Sequence, residues 1–262
     1  MTRRPQATLL AGGAALGVAT VRHLSRRSGV GDAEARRRLP GDDLVGRPLW
    51  VSTRGITIGA PPSAVWPWIV QMGYPAYRAG WYTPYWLDRL QWGITDRSSD
   101  EIREDLQSVS VGDRIPDSLD RSVFFTVEAV ERERALVLRS TKHLLRPMRS
   151  IDFTWAFILE PIDDRTRFVI RARARYAPRW SWLILGVPYG LGDWLNTTNI
   201  LHAVKQRAER HAAAAHRLTG DVHAEGRMRS AGRTPGQRPT RRRGAAGVCP
   251  GSRSSPPPRP PI

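Results

Sequence analysis

Alternation of apolar and polar positions is the strongest pattern in the chain. Phe168, Ile170, Ala172, Ala174 and Tyr176 share one parity, and Arg167, Arg171, Arg173 and Arg175 share the other. A period of two marks a strand whose successive side chains point to opposite faces. The same rhythm groups Phe153, Trp155, Phe157 and Leu159, and earlier Val123, Phe125, Val127 and Ala129. Arg134 to Arg139 supplies Leu136 and Leu138, Val109 to Pro116 is short and closed by proline, and Trp50 to Ile58 opens the series with β-branched and aromatic residues. Such strands predict an antiparallel sheet covered on one face and wet on the other. The arginine row of the last strand is then the wet face, and its charge also discourages edge pairing.

Helical spacing appears in three places. After Pro61-Pro62, Val65, Ile69 and Met72 recur at one face with Trp66 and Val70 beside them, because proline is tolerated where the first amides have no partner. Pro67 lies inside this helix and removes a hydrogen bond from it, and Gly73 closes it. A second short helix starts after Thr83-Pro84, with Tyr82, Tyr85, Trp86 and Arg89 on one side. Beyond Pro178 comes an apolar stretch, Trp180 to Val187, read as a candidate lid, then a Pro-Gly break and Asp193 as N-cap of a final helix. Trp194, Thr198, Leu201, Val204, Ala208, Ala212, Ala215 and Leu218 then repeat for about seven turns. The order predicts an α+β helix-grip: two short helices after the first strand, then an antiparallel sheet wrapped around a long C-terminal helix.

Charge changes the picture less than its total suggests. Of the formal +17, residues 1–40 carry +6 and residues 219–262 carry +7, which leaves +4 for residues 41–218. The basic excess belongs to the flanks, so no specific nucleic-acid partner is expected of the domain. The chain divides into residues 1–48, an apolar leader with a basic linker; residues 49–218, the helix-grip domain; and residues 219–262, a basic tail rich in Pro and Gly that is expected to be disordered. Residues 7–21 form an apolar run shorter than the roughly 20 residues that cross a bilayer comfortably. It reads as a short membrane anchor, with a signal peptide and an amphiphilic leader as the other readings. Heavier positive charge after the run puts the domain on the cytoplasmic side of a membrane surface; a soluble cytoplasmic protein is the alternative. Cys249 is the single cysteine, and the six histidines show no paired metal-ligand spacing, so no metal and no cofactor is expected.

Seven large aromatic rings lie between Tyr74 and Trp92, more than a small helix needs to dock, and Tyr and Trp bring polar tips suited to a cavity wall. The expected lining is Trp66, Trp81, Tyr82, Tyr85, Trp86, Phe125, Trp155, Phe157, Trp194 and Leu201, with Asp88, Arg89 and His143 as polar groups. Plain core and solvated helix positions are the bland alternatives.

The run Thr53-Arg-Gly-Ile-Thr-Ile-Gly-Ala-Pro-Pro-Ser-Ala-Val-Trp-Pro-Trp-Ile-Val-Gln-Met-Gly73 resembles the opening of actinobacterial START-like proteins, the polyketide cyclase/dehydrase and lipid-transport (SRPBCC) superfamily. The resemblance continues at Gly80 to Asp88, Val111-Gly-Asp113, Ala135 to Leu138, Thr154 to Pro161, Thr166 to Arg171 and Lys205 to Glu209. It implies a helix-grip fold and an internal cavity for a hydrophobic small molecule such as a lipid, polyketide or isoprenoid. It carries over no catalytic residues. The segment Asn196 to His202 departs from the Met-rich stretch such proteins place there. Binding or transport is therefore the first expectation, and a cyclase/dehydratase acting on a polyketide-like substrate is the alternative.

Overall fold

The computed structural model describes residues 26–143 and 150–231. Its seven strands are β1 (Arg27–Ser28), β2 (Trp50–Ile58), β3 (Arg114–Pro116), β4 (Phe124–Glu131), β5 (Ala135–Ser140), β6 (Ser150–Ile162) and β7 (Arg165–Ala177). They form one sheet in the order β1-β2-β7-β6-β5-β4-β3. All neighbours are antiparallel except β1 with β2. The helices are α1 (Asp32–Arg36), α2 (Pro62–Val70), α3 (Tyr85–Trp92) and α4 (Ser181–Ala231), with a 3-10 turn at Glu104–Leu106. This is the expected α+β helix-grip.

Parity decides which side chains meet α4. Trp50, Phe153, Trp155, Phe157, Phe168, Ile170 and Tyr176 face inward and form one core with Val65, Trp68 and Ile69 of α2 and Ile200, Leu201, Val204 and Ala208 of α4. Each large side chain removed from water in this layer contributes about 1.5–3 kcal/mol. Glu209 accepts the Gly59 amide at 2.7 Å, and Lys205 donates to the Thr57 carbonyl at 2.7 Å, pinning the helix to the end of β2.

Two expectations change. First, α4 does not begin at Asp193 but runs unbroken from Ser181. Gly190 sits where a Cβ would press into the Trp50 ring, so glycine lets the helix approach rather than break. Asp193 is thus a mid-helix residue, and the buried stripe is Asp193, Thr197, Ile200, Leu201, Val204 and Ala208. Trp194, one position out of phase, is exposed, as is Ala215.

Second, the outer face is not simply wet. A strap of residues 26–48 lies on it, and Leu39 and Leu44 pack on Ala135, Val137, Ala156, Ile158 and Val169 as a second apolar cluster. Arg171 is only 4% exposed. It donates to the carbonyls of Arg37 (2.8 Å) and Ala35 (2.7 Å), to Thr53 Oγ1 (3.1 Å) and to Asp42 (2.6 Å). Arg167 grips Glu34 with two bonds of 2.9 and 2.7 Å, and Arg173 reaches Asp42 at 3.3 Å. The arginines are counter-charges for an acidic, carbonyl-rich strap. Gly29, at φ +68°, passes so close to β2 that a Cβ would collide with the Gly55 carbonyl.

As described, α4 ends at Ala231. Residues 7–21 and 232–262, including the leader and the rest of the tail, lie outside the described residues, as do the side chains of 181–188 on which the lid rests.

Candidate functional site

The inner layer divides into an aromatic row, a polar group at each of two places along it, and an open groove. The row follows from the alternation in β4 and β6. Trp81 lies 5.5 Å from both Phe125 and Trp155, Phe153 and Phe157 flank Trp155 at 5.7 and 5.5 Å, and Phe157 stacks on Phe168 at 6.5 Å, all between ring centroids. Tyr189 of α4 closes one end, edge-on to Tyr176 (5.4 Å), Trp50 (6.1 Å) and Phe153 (6.5 Å). Burial pushes the phenols of Tyr176 and Tyr189 above the ordinary tyrosine range, and the nearby Asp193 charge adds to it. Trp155 is buried, yet its indole N–H has no acceptor among the described residues, and the same holds for Trp68 of α2.

The first polar group is the buried pair Arg54–Asp193. One carboxylate oxygen of Asp193 takes Arg54 Nη1 at 2.8 Å, Ser52 Oγ at 2.8 Å and Trp50 Nε1 at 3.2 Å. The side chains of Arg54 and Asp193 are 0% and 3% exposed. A charge pair taken this far from water holds only when its remaining valences are satisfied, and here Ser52 and Trp50 supply them.

The second is His143, whose ring lies 4.8 Å from that of Phe125, tilted by 44°. Its Nε2 lies 2.7 Å from Asp117 Oδ2 and its Nδ1 2.7 Å from Ser140 Oγ. Asp117 also accepts Trp81 Nε1 at 2.7 Å. Ser140 has one hydroxyl proton, which serves either Nδ1 or the Phe124 carbonyl 2.8 Å away. In the first case His143 is neutral with its proton on Nε2. In the second both ring nitrogens donate, and an imidazolium faces Asp117. The surroundings accommodate both forms, which a proton-transferring group requires.

At the opposite end of the sheet a groove of about 1150 Å³ opens between α2, residues 100–110, the β4–β5 turn and α4. Trp66, Trp68, Ile102, Val109 and Val130 line it, and Asp100, Arg207, Arg210 and His211 stand at its rim. Trp68 meets His211 and Tyr82 edge-on, each at 6.3 Å. The expected single apolar cavity is therefore two features: rings in mutual contact, and an open groove beside α2.

The expected lining sorts accordingly. Trp81, Phe125, Trp155 and Phe157 form the row, and Leu201 supports it from α4. Trp66 lines the groove. Tyr82 is buried beside it, its hydroxyl 2.7 Å from Gln71 Nε2 and its ring under Arg207; burial raises its phenol pKa despite these partners. Tyr85 is half-buried beneath Arg97. Three residues leave the wall: Trp86 is 62% exposed, Trp194 36%, and Arg89 also faces solvent. For Trp86 and Arg89 the cause is that Leu87 and Asp88, not their neighbours, turn inward on α3. Asp88 accepts the Thr83 hydroxyl at the start of α3, and burial holds its carboxyl above the usual range. His143 does reach the row, while residues 144–149 beyond it lie outside the described residues.

Asp117, Ser140, Arg54 and Asp193 escaped the reading of the sequence. Arg54 was legible in principle, since it shares inward parity with Trp50, Ser52, Ile56 and Ile58. A charge on the covered side of a strand asks for a buried partner. Asp117 and Ser140 sit at strand ends, where turn chemistry hides them.

No protein-family profile matches the chain, and no curated protein matches it. Among solved structures it is similar to protein MLL2253 from Mesorhizobium loti, at 15% identity and a TM-score of 0.39, over 62% of this chain and 98% of that one. It is similar to the Zhui aromatase/cyclase from Streptomyces sp. R1128 at 16% identity and a TM-score of 0.38, over 63% of this chain and 97% of that one. It is also similar to a Polyketide_cyc-like protein from Corynebacterium glutamicum at 14% identity and a TM-score of 0.35, over 59% of this chain and 88% of that one.

Proposed function

We propose that the protein binds, and carries or presents, an apolar small molecule with oxygen acceptors, of lipid, polyketide or isoprenoid type, between the inner sheet face and α4. The observation that carries this reading is the aromatic row with the Trp155 indole N–H buried in it and without an acceptor among the described residues. A buried donor left without an acceptor costs about 1–3 kcal/mol. A carbonyl, ether or hydroxyl oxygen of the bound molecule would recover that energy, and the rings would supply the contact area. The groove at Trp66 and Trp68, with a second unpaired indole N–H, offers the way in. A lipophilic fluorophore bearing a ketone tests it. The full chain should take it up saturably with energy transfer from tryptophan, and Trp155→Phe should weaken uptake about three- to tenfold. Uptake that does not saturate, or that ignores Trp155→Phe, contradicts the reading.

One observation favours a second, enzymatic reading of the cyclase/dehydratase type. His143 is held between Asp117 and Ser140 at 2.7 Å on each side, against the row. In that role it would take a proton from carbon beside a carbonyl of a polyketide-like substrate and return it to the departing oxygen. His143→Gln would then abolish turnover of a poly-ketone while leaving fluorophore uptake unchanged. Equal loss of both would assign His143 to binding alone.

A further inference from the structure

One end of the sheet, where β3, β5 and β7 finish and β4 and β6 begin, carries apolar side chains that the fold leaves uncovered. On α3, Trp86 and Leu90 stand four residues apart, 62% and 76% exposed. Leu119, in the β3–β4 turn, is 65% exposed. Hydrogen bonds tie the segments that carry them together at this end. The Tyr77 hydroxyl donates to the Leu119 carbonyl, and Trp81, four residues before the start of α3, is bonded to Asp117. Trp180 lies just past β7 at the same end of the sheet and is also exposed.

Cations surround this surface. Arg97 lies 5.3 Å over the Tyr85 ring and Arg121 3.9 Å over Tyr77. Arg89, Lys142 and Arg179 are exposed nearby in the fold. The exposed carboxylates of the same segments are Asp96 and Asp120, and Asp120 is occupied by Ser118 and Ser122. Trp and Leu projecting among arginines match the boundary of an anionic bilayer, where rings sit at headgroup level and cations meet lipid phosphates.

We propose that this end of the domain, centred on Trp86, Leu90 and Leu119, docks on the surface of an anionic lipid membrane. The charge balance selects this occupant over an uncharged apolar partner. Docking is peripheral: no described helix is long and apolar enough to cross a bilayer. The inference is separate from the leader at residues 7–21, and it holds whether or not the interior takes a ligand.

The basic flanks would by themselves draw the chain to acidic vesicles, so the test must report on the surface itself. In a Cys249→Ser background, Leu90→Cys is labelled with an environment-sensitive fluorophore, and Glu133→Cys at the opposite end of the sheet serves as reference. With vesicles of phosphatidylcholine and phosphatidylglycerol, the label at position 90 should shift to the blue and brighten, and the label at 133 should not. Phosphatidylcholine alone should produce little change. Arg121→Ser and Arg97→Ser should each weaken the response about fivefold, and Trp86→Ser, at an exposed position, should reduce the blue shift without altering the fold. Equal responses at 90 and 133 would mean that the flanks alone bind, and would overturn the proposal. So would a silent label at 90, or a shift that follows protein concentration without vesicles, which marks self-association.

Discussion

The two faces of this one sheet solve the problem of burial in opposite ways. The inner face uses rings and long apolar chains, with polar groups admitted at Arg54–Asp193 and His143–Asp117. The outer face buries arginine: Arg171 and Arg173 lie under the strap, held by Asp42 and by backbone carbonyls. The outer solution fixes a geometry at Arg171, whose three guanidinium nitrogens all have acceptors, whereas Arg173 holds Asp42 and its buried Nε has no partner among the described residues. The inner one leaves a donor unpaired at Trp155. An indole N–H buried among rings, with no acceptor among the described residues, is a donor that a ligand's oxygen would use.

The largest effect that would break this comparison is loss of the inner ion pair. Asp193→Ala leaves Arg54 buried and unpaired and should cost about 3–5 kcal/mol in denaturant unfolding. The double change Arg54→Met, Asp193→Leu should recover most of that, because the charge then leaves together with its partner. Recovery of stability without recovery of fluorophore uptake would assign the pair to the ligand rather than to the fold.

Next is the outer face, where Arg171→Ala removes the anchor of the strap and should cost about 2–3 kcal/mol. Amide exchange in residues 32–45 should rise while that of α4 does not. If both regions loosen together, the strap is part of one cooperative unit and the two faces are not separable.

A smaller effect comes from acid. The bidentate Arg167 contact, chiefly its hydrogen bonds, holds the Glu34 carboxyl below its ordinary 4.5. A depressed carboxyl contributes stability that is present above the unfolded value and fades as pH falls through the folded one. Exchange protection of the strap at Arg27–Arg36 should therefore be full near neutrality and decline below about pH 4.5, ahead of the inner core. Protection that instead falls as pH rises would contradict the pairing.

Smallest of all, Trp155→Phe should change stability by less than about 1 kcal/mol, since it removes an unsatisfied donor together with its cost. A larger loss would mean that the indole N–H has a partner in the folded protein.

The sequence revealed the inner face far better than the outer one. Strict alternation in β6 and β7 named Phe153, Trp155, Phe157 and Phe168 as neighbours, since period two leaves no other arrangement with a covered face. It could not reveal what covers Arg171. That depends on Ala35, Arg37 and Asp42, over 120 residues away, in a strap whose short helix and two-residue strand carry no periodic signal. The start of α4 was misplaced for a local reason. Pro188, Gly190 and Gly192 read as a break by propensity, yet the helix runs through them, and Gly190 lets it pack closely on Trp50. That one shift turned Asp193 from a cap into a buried counter-ion and moved Trp194 off the wall. His143 could be nominated from the sequence, and Ser140 lies only three residues before it at the end of β5, but Asp117 follows β3, 26 residues away, and only the sheet register brings it to the ring.

The central claim is that the inner face receives an apolar, oxygen-bearing molecule. Native mass spectrometry of the full chain, released gently from its producing cells or mixed with a lipid and polyketide extract, tests it most directly. The account predicts a discrete added mass, one molecule per chain, released by activation and diminished in Trp155→Phe. A chain that stays at its apo mass under every extract, with Trp155→Phe indistinguishable from wild type, would contradict it and leave the aromatic row as core.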